Sequence, residues 1–440
     1  MSRFVKGTST PKPANIDGSG IISMFKHPLS VLLVCCPLGL ASSVFHWGDV
    51  STFCLNFFSL IPLAKILGDA TEELAAGLRN DMLAGLLNAT FGNAVEVVIM
   101  MQTLRAGLIG VVKASLLGSV LSNLLLVLGM SFFFGGLMSG GKKKRKVPVE
   151  RTSMRLSSRQ SLTFAGSEPD APHEAVGLQE ETYTELIGEK VQTFSVLTAL
   201  VNTSMLLLSC LSLCLVTVFY TEVHGNESVE DVEDVILPVS RICSVIIMIA
   251  YGAYIFFQLV THREAMAEDN DDGDGGEEEV PALSICEAVM VMFVVTLVVA
   301  FSSEMLVESL EGVVEHVGIS PHFIGIILLP IVGNACEHAS AIRFAVMDKP
   351  GLSIGIAVGS STQISLFVVP FSVLAGWVLD KPMDLNFGQL NTTLMSISVI
   401  VVLSVVVDGT ANWLQGYLLM SAYVVAAVLY WHLPNDGSAL

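Results

Sequence analysis

Gly92-Asn93-Ala94-Val95-Glu96 and Gly333-Asn334-Ala335-Cys336-Glu337 are two copies of one pentapeptide, each set inside an apolar run. Gly118-Ser119 follows the first copy by 26 residues, and Gly359-Ser360 follows the second by the same 26. Upstream, Ala70-Thr71-Glu72 precedes one copy and Ser302-Ser303-Glu304 the other. Matched motifs at matched spacing mark an internal duplication. The reading of the chain starts from that repeat.

The surrounding composition excludes a water-soluble enzyme. Of 440 residues, 52% are hydrophobic and 14% charged, against roughly 25% charged in soluble domains. Mean hydropathy is +0.67. Apolar runs of a length that crosses about 30 Å of hydrocarbon predict eleven spans: 29–46, 50–69, 83–104, 112–137, 192–220, 235–260, 282–304, 321–346, 352–379, 392–408 and 411–432. The fold expected is an all-α polytopic membrane protein. Seven of the eight cysteines fall inside spans, and Cys286 opens one; they read as small apolar residues, not staples or zinc ligands.

Five spans separate each pentapeptide from its twin. Five is odd, so the two halves run in opposite senses through the membrane. The first span then stands outside a five-plus-five inverted repeat, an architecture of secondary transporters with the site at the midplane. The expected organisation is a cytosolic tail with the first span (1–49), a first repeat (50–260), an acidic linker (261–280), a second repeat (281–432) and a short tail (433–440). Residues 138–190, with the basic run Lys142 to Lys146, read as a disordered loop. No cleavable signal precedes the first span. Eighteen of the 22 basic residues lie on one side if the amino terminus is cytosolic, which sets the expected orientation.

Acids are almost confined to span ends, with Glu96 and Glu337 the two exceptions near mid-span. An ionised carboxylate there costs several kcal/mol unless paired, hydrated or neutralised. Asn93 and Glu96 are three residues apart, as are Asn334 and Glu337, so each pair shares a helix face. Gly92 and Gly333 allow close approach or a local break that frees backbone carbonyls. Carboxylate, amide and backbone oxygens are hard ligands that suit Ca²⁺, with Mn²⁺ a second candidate. A divalent cation or two protons can each neutralise two carboxylates, so the two compete for one set of oxygens. Glu72 and Glu304 read as entrance acids. Ser119, Ser122, Asn123, Ser360, Thr362 and Gln363 are polar groups on the partner spans, serving either the site or helix packing. Glu308, Glu311 and Glu315 share one helix face, as a cation funnel or a solvated helix end.

These residues resemble the Ca²⁺/H⁺ exchanger (cation/proton exchanger) family of the cation/Ca²⁺ antiporter superfamily. The resemblance rests on Ala70-Thr-Glu-Glu-Leu74, the run Gly85 to Glu96, the run Gly118 to Gly129, Gly333-Asn-Ala-Cys-Glu-His338 and Gly359-Ser-Ser-Thr-Gln363. It implies Glu96 and Glu337 as cation and proton carriers, with Asn93, Asn334, His338, Ser122 and Gln363 as neighbours. It also implies export of cytosolic Ca²⁺ into an acidic compartment such as a vacuole. The acidic segment of the family is matched by Glu268, Asp269, Asp271, Asp272, Asp274, Glu277, Glu278 and Glu279. Two features depart from the family pattern: a long 138–190 connection, and Cys336 where alanine is common.

Other readings are weaker. The acidic segment lacks the first Asp and the apolar eighth position of an EF-hand. The Lys142 run marks the cytosolic side or touches anionic lipid, and no nucleic-acid partner is expected. No His-Glu-x-x-His motif supports a metalloprotease, and neither enzymatic activity nor a cofactor is expected. A Na⁺/Ca²⁺-type exchanger and a Ca²⁺ channel are the alternatives. The sequence leaves oligomeric state open.

Overall fold

The computed structural model describes residues 19–78, 81–138, 191–225, 233–263 and 281–433. The long loop 139–190 and the acidic residues Glu268 to Glu279 lie outside the described residues. A short helix, Ser19–Met24, and a 3₁₀ turn, Pro28–Val34, lead into α1, Cys35–Val44. Then come α2 (Asp49–Leu78), α3 (Asp81–Phe91), α4 (Ala94–Ala106), α5 (Ile109–Met138), α6 (Val196–His224) and α7 (Asp234–Thr261). The second half holds α8 (Ile285–Glu308), α9 (Leu310–Val317), α10 (Pro321–Gly333), α11 (Ala335–Val346), α12 (Pro350–Val378), α13 (Gln389–Val406) and α14 (Trp413–Trp431).

Eight of the described helices are long and apolar enough to cross a membrane, and α10 with α11 forms a ninth span bent by 59°. Besides 321–346, broken between α10 and α11, two expected spans differ from the continuous helices predicted. Residues 83–104 are divided between α3 and α4, because Asn93 leaves helical geometry at φ −109°, ψ 30°. Residues 29–46 begin as a 3₁₀ turn before α1; Pro37 lacks the N–H that would bond back to Leu33, which favours a change of helix type there.

Two sets of contacts define the faces of the bundle. At one, the Glu73 carboxylate accepts from the backbone N–H groups of Ala282 and Leu283 at 2.7 and 3.1 Å. There too, strand β1 (Val191–Thr193) pairs antiparallel with β2 (Thr410–Asn412), and Gln192 donates to Ala345 O at 2.8 Å and Asp348 at 3.0 Å. This is the loop face, where 138 and 191 both end. At the opposite face Arg241 lies 4.8 Å over the Trp377 ring, and Lys113 donates to Asp384 Oδ1 at 2.8 Å and Asn386 O at 2.9 Å.

The Lys113–Asp384 pair is largely shielded, so removing one partner strands a charge. Lys113→Met is expected to lower stability by about 1–2 kcal/mol, and Lys113→Met with Asp384→Leu by less. Thermal unfolding of detergent-solubilised protein checks this; equal losses in the single and double variants would contradict it.

Two apolar cores divide the bundle. The first is built around α2 and α8, which pack along each other, with α4 and the start of α10. The second gathers α5, α6, α7, α12, α13 and α14. The twin helices α5 and α12 are the most buried spans, whereas α7 leaves most of its surface outward, with Ile242, Ile246 and Ile249 exposed. Such apolar exposure suits lipid, not water. Twin positions are offset by 241 residues in the two pentapeptide regions, and the offset appears in backbone geometry. A π-helical turn at Ser122–Val127 of α5 is matched by one at Ile364–Val368 of α12. The protein is thus a polytopic α-helical bundle whose two pentapeptide regions repeat in backbone geometry.

Candidate functional site: two broken helices and a carboxylate cavity

Asn93 and Asn334 are the break points of their spans, at φ −109°, ψ 30° and φ −86°, ψ 14°. Each break ends one short helix and starts another. The last carbonyls of α3 and α10 and the first turns of α4 and α11 therefore meet near mid-membrane. Terminal carbonyls have no partner within their own helix and present negative dipole ends to a cation. Glu96 and Glu337 occupy the first turns of α4 and α11. Sequence reasoning put them within single spans, with Gly92 and Gly333 allowing either close approach or a local break; the structure has the break, at the adjoining Asn93 and Asn334, and it places the two acids beside freed backbone.

Both carboxylates line one cavity of about 360 Å³, and they are within electrostatic reach of one another. Glu96 is only 7% exposed. Glu96 Oε1 and Glu337 Oε2 are buried without a hydrogen-bond partner. Buried polar atoms are normally satisfied, so two orphaned carboxylate oxygens in one cavity point to a charged guest. Gly333 is needed for the approach: a Cβ there would stand 2.9 Å from Glu96 Oε1. The second repeat's glycine thus makes room for the first repeat's glutamate.

Amides cross between repeats in the same way, but not symmetrically. Asn93 donates to Gln363 Oε1 at 2.7 Å and accepts from Ser360 Oγ at 2.9 Å. Asn123 donates to Ser360 at 3.0 Å, extending the chain. The twin of Asn93, Asn334, is fully buried and donates to the Ser119 carbonyl at 3.1 Å, while its Oδ1 has no partner. Asn334 therefore leaves its oxygen uncommitted where Asn93 has given its own to Ser360, but Asn334, unlike Asn93, is not among the residues that line the cavity. Among the described residues no three His, Cys, Asp or Glu side chains converge closely enough to hold a metal alone. A cation here would draw on amide and backbone oxygens as well as the two carboxylates.

The cavity opens toward the loop face. Its wall includes Glu72 near the end of α2, Thr198 at the start of α6, Gln258 at the end of α7, and Gly351 and Leu352 at the start of α12. Toward the opposite face the same repeat elements are shut. A Cβ on Gly118 would run into Ile326 backbone, and one on Gly325 would stand 2.5 Å from Ala114 Cβ. Gly355 and Gly359, twins of Ala114 and Gly118, have nothing within 4 Å. One half of the repeat is closed where the other is open.

The remaining sequence-derived residues divide. Gly92, Gly333, Glu72 and Gln363 line the cavity with Asn93, Glu96 and Glu337. Ser122 is fully buried in the π turn of α5, and its Oγ has no partner. His338 hydrogen-bonds through Nδ1 to Asn334 O at 2.6 Å and stands behind the cavity wall. Glu304 is exposed on α8, outside the cavity lining. Thr198, Gln258 and Ser340 line the cavity but were not singled out by sequence. Gln258 sits at the end of an otherwise apolar run, a signal that could have found it; Ser340 is three residues beyond Glu337, on its face.

Comparison with known proteins bears on this arrangement. The family described as sodium/calcium exchanger protein matches residues 49–166 and 287–431. A vacuolar cation/proton exchanger 3 of Oryza sativa subsp. japonica is 36% identical over 427 residues, covering 95% of this chain and 89% of that relative. A Ca²⁺/H⁺ antiporter of Aphanothece halophytica is 34% identical, over 92% of this chain and 96% of its own. The solved structure of native YfkE superposes with a TM-score of 0.67 at 32% identity, covering 92% of this chain and all of that one. The chain belongs to the sodium/calcium exchanger family, in its cation/proton exchanger branch.

Proposed function

We propose that the protein is a secondary antiporter that exchanges Ca²⁺ for H⁺ across the membrane, with Glu96 and Glu337 as the shared carrier of both ions. The observation that carries this reading is the pair of orphaned carboxylate oxygens, one from each inverted repeat, in a single cavity open to one face. Relatives named as cation/proton exchangers and Ca²⁺/H⁺ antiporters support the same chemistry. One Ca²⁺ neutralises both carboxylates, and so do two protons. An empty, doubly charged site is costly in low dielectric, so the loaded forms change facing more readily than the empty one. That coupling makes the carrier an exchanger and not a leak.

The basic bias of the loop face assigns it to the cytosol, with the amino terminus on the same side. The cavity then receives cytosolic Ca²⁺ and delivers it to an acidic lumen, such as a vacuole, in return for luminal protons. The oxygen donor set also suits Mn²⁺ as an alternative cargo.

A pH gradient tests the reading directly. Vesicles with an acidic lumen are expected to accumulate ⁴⁵Ca²⁺ uphill without Na⁺, and a protonophore is expected to abolish accumulation. Uptake that follows a Na⁺ gradient would instead establish Na⁺/Ca²⁺ exchange, and uptake indifferent to both gradients would indicate a channel. The sign of the pH effect on binding is also fixed. Protons and Ca²⁺ compete for the same oxygens, so Ca²⁺ affinity on the loop face is expected to fall as pH falls. Ca²⁺ titrations of the purified protein across a pH series check this; an affinity independent of pH would argue against shared sites.

A further inference from the structure

Arg241, half-buried on α7, is a cation without a counter-charge. Among the described residues the ion pairs are Lys65 with Asp69 and Lys113 with Asp384, so the Asp384 carboxylate already has its cation. Arg241 Nε is enclosed and has no partner. Nη1 and Nη2 are not enclosed, and they too donate to no described residue. A rigid fork of N–H donors is left with nothing among the described residues to hold.

The fork is fixed at the edge of the membrane. Its guanidinium lies 4.8 Å over the Trp377 ring, in the last turn of α12, which ends at Val378. Next to it, Ser240 Oγ accepts from the Leu385 N–H at 3.0 Å, so the connection after α12 meets α7 at the same level. Arg241 stands about 10 Å along α7 from its first residue, Asp234. Deeper in the span, Val245 and Ile249 continue its helix face at steps of four, with Ile242 and Ile246 beside them, and all four are exposed. That outward apolar stripe suits acyl chains. The Trp377 ring, 55% exposed, marks the headgroup level at its end, where a long arginine keeps its charged head.

Charge and shape together select an occupant. An uncompensated cation bordering hydrocarbon is costly until an anion neutralises it. Guanidinium and phosphate pair through parallel N–H···O bonds, and stacking on Trp377 occupies a face of the fork while leaving its edge free. Lipid headgroups supply phosphates at this depth. The phosphate of phosphatidylcholine is balanced by its own choline, whereas that of an anionic phospholipid is not. We infer that Arg241 and Trp377 form a site for one anionic phospholipid, on the face opposite the cavity mouth. Its phosphate sits on the Arg241 fork and its acyl chains run along Val245 and Ile249. The site is separate from the carboxylate cavity and does not rest on the exchange reading.

The experiment reads Trp377 fluorescence in vesicles of phosphatidylcholine with a minor share of phosphatidylglycerol, one lipid or the other carrying bromine high on its acyl chains. Bromine quenches on contact, so quenching reports which lipid lies beside the ring; the Trp377 signal is what Trp377→Phe removes in each background. In the native protein, phosphatidylglycerol is expected beside Trp377 at about fivefold its bulk share, the scale of one basic side chain meeting an anionic lipid. Arg241→Gln is expected to return it to the bulk share, while brominated phosphatidylcholine still quenches the ring. Arg241→Lys keeps the charge without the fork and is expected to fall between the two. Bulk-share quenching in the native protein would overturn the proposal, as would unchanged enrichment in Arg241→Gln. Should Arg241→Gln fail to insert, Arg241→Lys decides: enrichment as high as in the native protein would overturn the role given to the fork. Millimolar inorganic phosphate is expected to leave the enrichment intact; its abolition would assign the site to a free anion and overturn the lipid.

Discussion

Glu96→Gln and Glu337→Gln are each expected to reduce pH-driven ⁴⁵Ca²⁺ uptake at least a hundredfold while leaving a folded, membrane-inserted protein. The reason is charge balance. With one carboxylate gone, a bound Ca²⁺ leaves a net positive charge in low dielectric, and one remaining proton site cannot replace a divalent ion. A hundredfold loss corresponds to about 2.7 kcal/mol, modest beside the cost of an unbalanced buried charge. Glutamine keeps the volume and one carbonyl oxygen, so packing around Gly333 is retained. Glu304→Gln is the control: an exposed acid outside the cavity is expected to change uptake less than threefold. Full-rate uptake by Glu337→Gln would remove the site from this cavity.

The second large effect separates binding from turnover. In the present conformation a Cβ at Gly118 collides with Ile326 backbone, whereas Gly355 and Gly359 face open space. Helix α5 is thus packed against α10 at the opposite face, while α12 stands away from α3 at the loop face. For the site to open to the other side, the repeats must exchange these environments. Ala84 and Gly85, twins of Gly325 and Ile326 by the 241-residue offset, would then meet Gly355 and Gly359. Gly355→Leu and Gly359→Leu are accordingly expected to bind Ca²⁺ from the loop face normally, to unfold no earlier than the native protein, and to lose exchange at least tenfold. Gly118→Leu is expected to fail differently, by destabilising the closed contact itself. Calcium titration and vesicle flux on the same preparations distinguish the two; normal flux in Gly359→Leu would mean that α12 never closes on α3.

The two glycine environments show where sequence ceased to be informative. Gly118 and Gly359 occupy twin positions and sit in matched motifs, so nothing in the chain distinguishes them. Their difference arises because one chain in one conformation cannot satisfy both halves of an inverted repeat alike. The same applies to Asn93 and Asn334. Spacing assigned both to the cation, but Ser360 and Gln363 occupy the Asn93 side chain, while Asn334 keeps Oδ1 unpartnered.

Repetition, parity and the cost of buried charge were enough to obtain the membrane class, the inverted halves and the two central glutamates, since each is a property of local pattern. Hydrophobic length locates spans because lipid offers backbone no partner, and this needs no knowledge of neighbours. Breaks at Asn93 and Asn334, the recruitment of Thr198, Gln258 and Ser340, and the choice of open face were decided only in three dimensions. They depend on which distant helices touch, and contacts between residues more than 200 apart leave no periodic trace along the chain. The thiol of Cys336 belongs to both accounts: its identity was written in the sequence, and its place beside the carboxylates was fixed by the approach of α2 at Gly68.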